Sequence, residues 1–117
     1  MRKILYLLMT AAALAVLALA ADVNVRLIRT GADISPARAK SNDRIIWTGN
    51  QWSVEFPNNS PCQNGKKTFS STETGQNRIC TISVTCTTAN RSGCGRYKYN
   101  SRADGGPVVD PEIEVEP

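Results

Sequence analysis

The chain contains no histidine, and its two methionines, Met1 and Met9, both fall within the first nine residues. Without imidazole, the commonest proton shuttle of general acid-base catalysis and the commonest metal ligand are both missing. There is no C-x-x-C pair either. That removes the tight knuckle that seats two thiolates on one zinc ion, and the dithiol geometry that depresses a thiol pKa. No phosphate-cradling glycine motif occurs, no internal repeat is evident, and no apolar stripe of helical period follows residue 21. Glu55 alternates with apolar residues and Glu73 lies in a polar stretch, so no two carboxylates have the spacing of a shared acid-base site. These absences argue against an enzyme, a bound cofactor and a metal centre.

What is present begins with an export pattern. Met1-Arg2-Lys3 is a charged start, Ile4 to Ala21 is an apolar and small-residue run, and Ala18-Leu19-Ala20 carries small residues at the −3 and −1 positions of a cleavage site after Ala20. Residues 1–20 therefore read as a signal helix that is removed, and residues 21–117 as one domain of 97 residues. No cysteine follows the apolar run, which argues against a lipid anchor. The expectation is a secreted or periplasmic protein with no membrane segment in its mature form. The formal charge of +4 includes Arg2 and Lys3; without them twelve basic residues face ten acidic ones, a net of +2. Lys66-Lys67 is the only adjacent basic pair in the mature part, too scattered a distribution for a nucleic-acid binder.

In an oxidising compartment the even set Cys62, Cys80, Cys86 and Cys94 reads as two disulfides, for which three connectivities exist. The pairing preferred is Cys62 with Cys80 and Cys86 with Cys94, because residues 87–93 look like a hairpin loop that sets the last two sulfurs face to face. Separations of 18, 6 and 8 residues do not suit a four-thiolate zinc site.

Alternation of period two recurs along the mature chain. Val23, Val25 and Leu27 mark a first strand, with a turn at residues 30–33. Pro36 places the following extended segment at a sheet edge or bend. Ile45 to Trp47, a turn at Gly49-Asn50, and Trp52, Val54 and Phe56 together read as a Trp-rich hairpin at the centre of the core. Residues 57–75 read as a long irregular connection with one short strand around Thr68 to Ser70. The clearest strand spans Arg78 to Thr87; Tyr97 and Tyr99 mark its return partner. Ile113 and Val115 set against Glu112, Glu114 and Glu116 form a final strand with an acidic outer face, read as a solvated edge that repels strand addition. Seven or eight short strands describe an all-β fold, an antiparallel Greek-key β-sandwich of cupredoxin-like or immunoglobulin-like type.

Two segment pairs give the cupredoxin-like reading its content. Ile34-Ser35-Pro36-Ala37-Arg38-Ala39 leading into Asp43-Arg44-Ile45-Ile46-Trp47-Thr48, and Gly95-Arg96-Tyr97-Lys98-Tyr99 with Asp110-Pro111-Glu112-Ile113-Glu114-Val115, resemble strand pairs of the plastocyanin- and azurin-like cupredoxins. The resemblance implies a β-sandwich and, in copper-bearing members, two imidazoles and a thiolate around the metal. This sequence departs from that pattern. Where such a member would place its first histidine, beyond the strand holding Trp47, it has Gln51 and Trp52, and its four thiols are expected to be oxidised. Copper electron transfer by the family's mechanism is excluded by ligand inventory.

The remaining candidates for function are surfaces. Trp47, Trp52, Tyr97 and Tyr99 sit at alternating strand positions, where aromatics belong to a core; Trp52, if exposed, would anchor a protein or glycan partner. Asn58 and Asn90 head glycosylation sequons, relevant in a eukaryotic secretory chain. The expected function is a non-enzymatic binding or structural module. The alternative is a secreted inhibitor or effector that presents the 58–75 loop, braced by Cys62, to a target enzyme.

Overall fold

The computed structural model describes residues 19–117, so the signal helix expected over residues 1–20 lies, up to residue 18, outside the described part. The described chain is all-β, with ten strands in three sheets and two short 3-10 turns. The first sheet has the order β2-β1-β4-β7, from β1 (Asp22–Ile28), β2 (Gly31–Ala32), β4 (Arg44–Thr48) and β7 (Ile79–Thr81). The second is β3-β10-β8, from β3 (Ala37–Ala39), β8 (Gly95–Lys98) and β10 (Glu112–Val115). The third is β6-β5-β9, from β5 (Ser53–Glu55), β6 (Thr68–Ser70) and β9 (Asn100–Arg102). No helix among the described residues is long and apolar enough to cross a membrane.

Several sequence expectations are corrected here. The first two sheets are mixed and not purely antiparallel, because β1 runs parallel to β4 and β3 parallel to β10, while the third is antiparallel throughout. The Trp-rich hairpin does not form. Gly49, at φ 137°, redirects the chain after β4, so that β4 joins the first sheet and β5 the third. A Cβ at Gly49 would lie 2.5 Å from the Leu27 carbonyl oxygen, so only glycine allows this close crossing. The strand expected from Arg78 to Thr87 has ladder pairing only over Ile79–Thr81. Beyond it, Ile82 N–H donates to the Asp43 carbonyl and Ser83 N–H to the Pro61 carbonyl, so the alternation of buried and exposed side chains outlasts the sheet. Nor is β10 an edge: it lies between β3 and β8, and its glutamates face arginines on both neighbours.

Two of the sheets are joined through one stretch of backbone. Residues 95–102 pair with β10 over their first half, and Tyr99 N–H and Ser101 N–H donate onward to the carbonyls of Pro111 and Val109. Over its second half the same stretch pairs with β5. Tyr99, at the changeover, is fully buried.

The period-two pattern directs one face of each sheet into a shared core. Val25, Leu27, Ile45, Trp47 and Cys80 come from the first sheet, Ala37, Ala39, Ile113 and Val115 from the second, and Val54 and Phe69 from the third. At the centre, the Trp47 ring lies 5.0 Å from Phe69, 5.6 Å from Tyr99, 6.0 Å from Trp52 and 6.4 Å from Phe56 between centroids. These tilted and edge-on arrangements suit the quadrupoles of the rings. Trp47 Nε1–H donates to the Tyr99 hydroxyl at 3.4 Å.

The disulfides join Cys62 to Cys80 and Cys86 to Cys94, the preferred pairs. The segment between Cys86 and Cys94 is not a strand hairpin; it is an irregular loop closed by Gly93 N–H to the Thr85 carbonyl at 2.7 Å. In the chain-entropy model the 18-residue loop contributes about 3 kcal/mol and the 8-residue loop about 2.5 kcal/mol. Against a net stability of roughly 5–15 kcal/mol for a domain, either bond matters. Replacing Cys62 and Cys80 together by alanine is expected to cost about 3 kcal/mol in denaturant unfolding, slightly more than the Cys86/Cys94 double variant; equal stability of all three proteins would contradict the assignment.

Burial pushes the Tyr99 hydroxyl up to about 12, with the Trp47 hydrogen bond acting against that shift and the charge of Asp33 adding to it. A raised folded value means that the folded state holds its proton more tightly than the unfolded one. The corresponding stability is complete below about pH 10 and is lost as pH rises towards 12. Ultraviolet titration of a chain of residues 21–117, whose tyrosines are Tyr97 and Tyr99, is expected to show one tyrosine ionising only in step with unfolding. Two reversible ionisations near pH 10 in folded protein would refute this placement.

Candidate functional site

Three of the four aromatics expected to be core, Trp47, Trp52 and Tyr99, are core. Trp52 is only 2% exposed, which removes it as a partner anchor. Trp47 and Tyr99 are equally enclosed, and Tyr97 is half-buried with its hydroxyl donating to the Gly93 carbonyl at 2.7 Å. The copper ligand set does not fit this structure. Gln51 is an exposed turn residue at φ 44°, Trp52 is buried, and all four sulfurs are consumed in disulfides. Among the described residues, no three Cys, Asp or Glu side chains converge on a point that could hold a metal ion.

Each glutamate of the acidic face at β10 is already ion-paired. Arg96 on β8 reaches Glu112 at 3.3 Å and Glu114 at 3.2 Å, while Arg38 on β3 lies 3.8 Å from both Glu114 and Glu116. The hydrogen bond to Glu114, with the charges of Glu112 and Glu114, holds the Arg96 guanidinium above its ordinary value. Such exposed cross-strand pairs add little stability individually, but they leave no free carboxylate trio for a cation. Elsewhere, Glu73 is paired with Lys66 at 2.8 Å, and Glu55 points outward from β5 as its position in the alternation requires.

The surface with the most construction behind it lies between the two disulfide-closed segments. Residues 57–67 are attached to β7 by three bonds, one covalent and two hydrogen bonds. Cys62 is bonded to Cys80 on β7. The Gln63 side chain clamps the same strand twice, its amide donating to the Ile79 carbonyl at 2.7 Å and its oxygen accepting from Thr81 N–H at 2.8 Å. Ser60 Oγ donates to the Lys66 carbonyl at 2.6 Å and accepts from Cys62 N–H at 3.0 Å, closing the loop on itself. Asn64, at φ 53°, and Gly65 form the exposed tip.

Opposite this loop stands the Cys86–Cys94 segment, anchored by Ser41 Oγ, which donates to the Val84 carbonyl at 2.8 Å and accepts from Cys86 N–H at 3.0 Å. The trough between the two has a volume of roughly 590 Å³, with Tyr97 in its floor and Asn59, Lys67, Ser83, Thr85 and Ser92 around it. A second hollow of roughly 460 Å³ continues past Tyr97 along Asn58, Asn59, Arg96 and Glu112. On one side of Tyr97 the lining is hydrogen-bonding, with Lys67 its one charged residue, and on the other it is ion-paired. It holds no histidine and no free thiol. Its amides and hydroxyls offer donors and acceptors beside a partly exposed ring edge.

Sequence reasoning singled out the 58–75 loop and Cys62, both of which contribute here, but missed Gln63, Ser41 and the partnership with residues 83–94. A glutamine directly following a bonded cysteine is the one signal that could have suggested a clamp. The outer face of the third sheet forms another shallow hollow of roughly 450 Å³, with Ser53, Glu55, Ser70, Asn100 and Arg102 beside the exposed Val108. It rests on the ladder of the third sheet and carries no disulfide. Comparison with protein-family models, with curated proteins and with solved structures gives no match for this chain.

Proposed function

We propose that the protein is an exported, non-enzymatic binding module, built on a cupredoxin-like β-sandwich without a blue-copper site, that recognises a hydrogen-bonding partner through the trough beside Tyr97. Export is supported by the leader pattern and by two disulfides, which persist in oxidising compartments. The cupredoxin-like frame is supported by the segments that carry the resemblance, which fall on β3, β4, β8 and β10, three of them side by side in one sheet. The observation that carries the binding reading is the triple attachment of residues 57–67. A loop already fixed before encounter loses little entropy on binding, so such bracing favours recognition over a merely connecting role.

The partner class is an extended polymer with evenly spaced hydroxyl or amide groups, either a glycan or a peptide in strand conformation. The exposed amides of Asn58 and Asn59 and the ammonium of Lys67 supply the contacts. A second reading has the same loop presented as the reactive face of an inhibitor or effector, for which the exposed tip at Asn64 and Gly65 is the supporting feature.

The test uses the mature protein and the N58A/N59A/K67A variant on glycan and peptide arrays. All three side chains are exposed, so the variant should melt within about a degree of the parent. Retention of a glycan or peptide by the parent and a loss of at least about tenfold in the variant are expected. Equal binding by both proteins, turnover of an array ligand, or an intense visible band on adding Cu(II) would each defeat this reading. Tight binding of an intact protease or glycosidase through residues 64–65 would move the assignment to the inhibitor.

A further inference from the structure

Asp43 is a charged residue only 8% exposed, and no lysine or arginine among the described residues lies within ion-pair distance of it. Its carboxylate is held by two backbone donors. Oδ2 accepts from Lys40 N–H at 2.8 Å, closing the turn before β4. Oδ1 accepts from the nitrogen of Ala21, also at 2.8 Å and 22 residues away in sequence. Ala21 is the residue that immediately follows the cleavage site read from the sequence. Its carbonyl accepts from Arg44 N–H at 2.9 Å, which starts the parallel ladder of β1 with β4. Asp22 and Arg44, the nearest charged neighbours, satisfy each other at 2.8 Å. The side chain of Lys40 points into solvent. A buried carboxylate without a cation is costly, and neutral amide donors offset only part of that cost.

We propose that the Ala20–Ala21 bond is a processing site whose product is part of the fold: cleavage converts Ala21 into an α-ammonium that docks on the buried carboxylate of Asp43. This rests on the export reading above. In the step itself, an endopeptidase of the export machinery directs water onto the Ala20 carbonyl carbon. The C–N bond breaks, the hydroxyl stays on Ala20, and the Ala21 nitrogen leaves with a proton and takes up another from solvent. The scissile bond is accessible, since Leu19 is 92% exposed and Ala20 and Ala21 are both exposed. The ammonium then stands where the amide stood, 2.8 Å from Oδ1, and supplies the positive charge that the pocket lacks. A charge-assisted bond of this kind is stronger than the amide bond it replaces. It pins the first strand at its outer end, so the unprocessed chain is the less stable of the two.

Every core residue and both disulfides lie between Val23 and Val115, so the processed chain contains the whole described fold. The test compares three oxidised proteins at about pH 6.5, where a free α-amine is protonated. One begins at Ala21 with a free amine, one carries an N-acetyl group on Ala21, and one has an extra glycine before it. Each is also made with Asp43→Asn. The free-amine form is expected to melt about 5 °C above the other two, and the advantage to vanish in the Asp43→Asn series. Equal melting temperatures for free and acetylated chains, or an advantage that survives Asp43→Asn, would overturn the docking. Separately, intact mass of chain exported with its own leader should give residues 21–117. A different first residue would remove the processing site and the export reading's cleavage position, while leaving the three-chain comparison to judge Asp43 alone.

Discussion

The contact on which the rest of the structure depends is that of Trp47 with the rings around it. Trp47 is the only large aromatic residue of the first sheet; Phe69 sits on β6, Trp52 and Phe56 flank β5, and Tyr99 lies where one backbone stretch passes from the second sheet to the third. Each of the three sheets is small, with strands of two to seven residues, and buries its apolar face in a core shared with the other two. The aromatic cluster converts them into one cooperative unit. The disulfides then act on segments the cluster does not reach, 57–67 and 83–94, which carry little regular structure of their own.

That division of labour accounts for where the candidate site lies. A domain of this length has a thin margin of stability, and irregular loops add nothing to it unless they are tied down. Cys62, Gln63 and Ser60 tie one loop, and Cys86, Cys94 and Ser41 the other. Because the other aromatic side chains are committed to the interior, the trough between the loops is left with amides, hydroxyls, the Lys67 ammonium and one half-buried ring. Such a surface can recognise a partner. It contains no nucleophile with an adjacent base and no paired acid, and the function proposed for it is binding.

The parts of this fold that were legible in the sequence are those set by side-chain alternation. Val25 and Leu27, Ile45 and Trp47, Val54 and Phe56, and Ile113 and Val115 all point inward as their spacing required, and the short strand at Thr68–Ser70 occurs where it was expected. Alternation states which face a residue occupies but not which strand lies beside it. Hence the parallel pairing of β1 with β4 was invisible, and the β4–β5 hairpin was inferred from a turn that in fact carries the chain to another sheet at Gly49. The acidic row on β10 was read as an edge because the guanidiniums opposing it, on Arg38 and Arg96, are 76 and 16 residues from Glu114 and Glu112 in the chain. Local loop chemistry was legible at Cys62 and illegible at Gln63, since an amide clamping a strand leaves no periodic trace.

Native-state hydrogen exchange measures the central claim directly, with Val25 and Ile45 reporting on the first sheet, Ile113 on the second and Val54 on the third. If the Trp47 cluster unites the sheets, these amides should open with one common free energy, and Trp47→Leu should lower all of them together. Loss of protection confined to β4 and its neighbours, with Val54 and Ile113 unchanged, would contradict it.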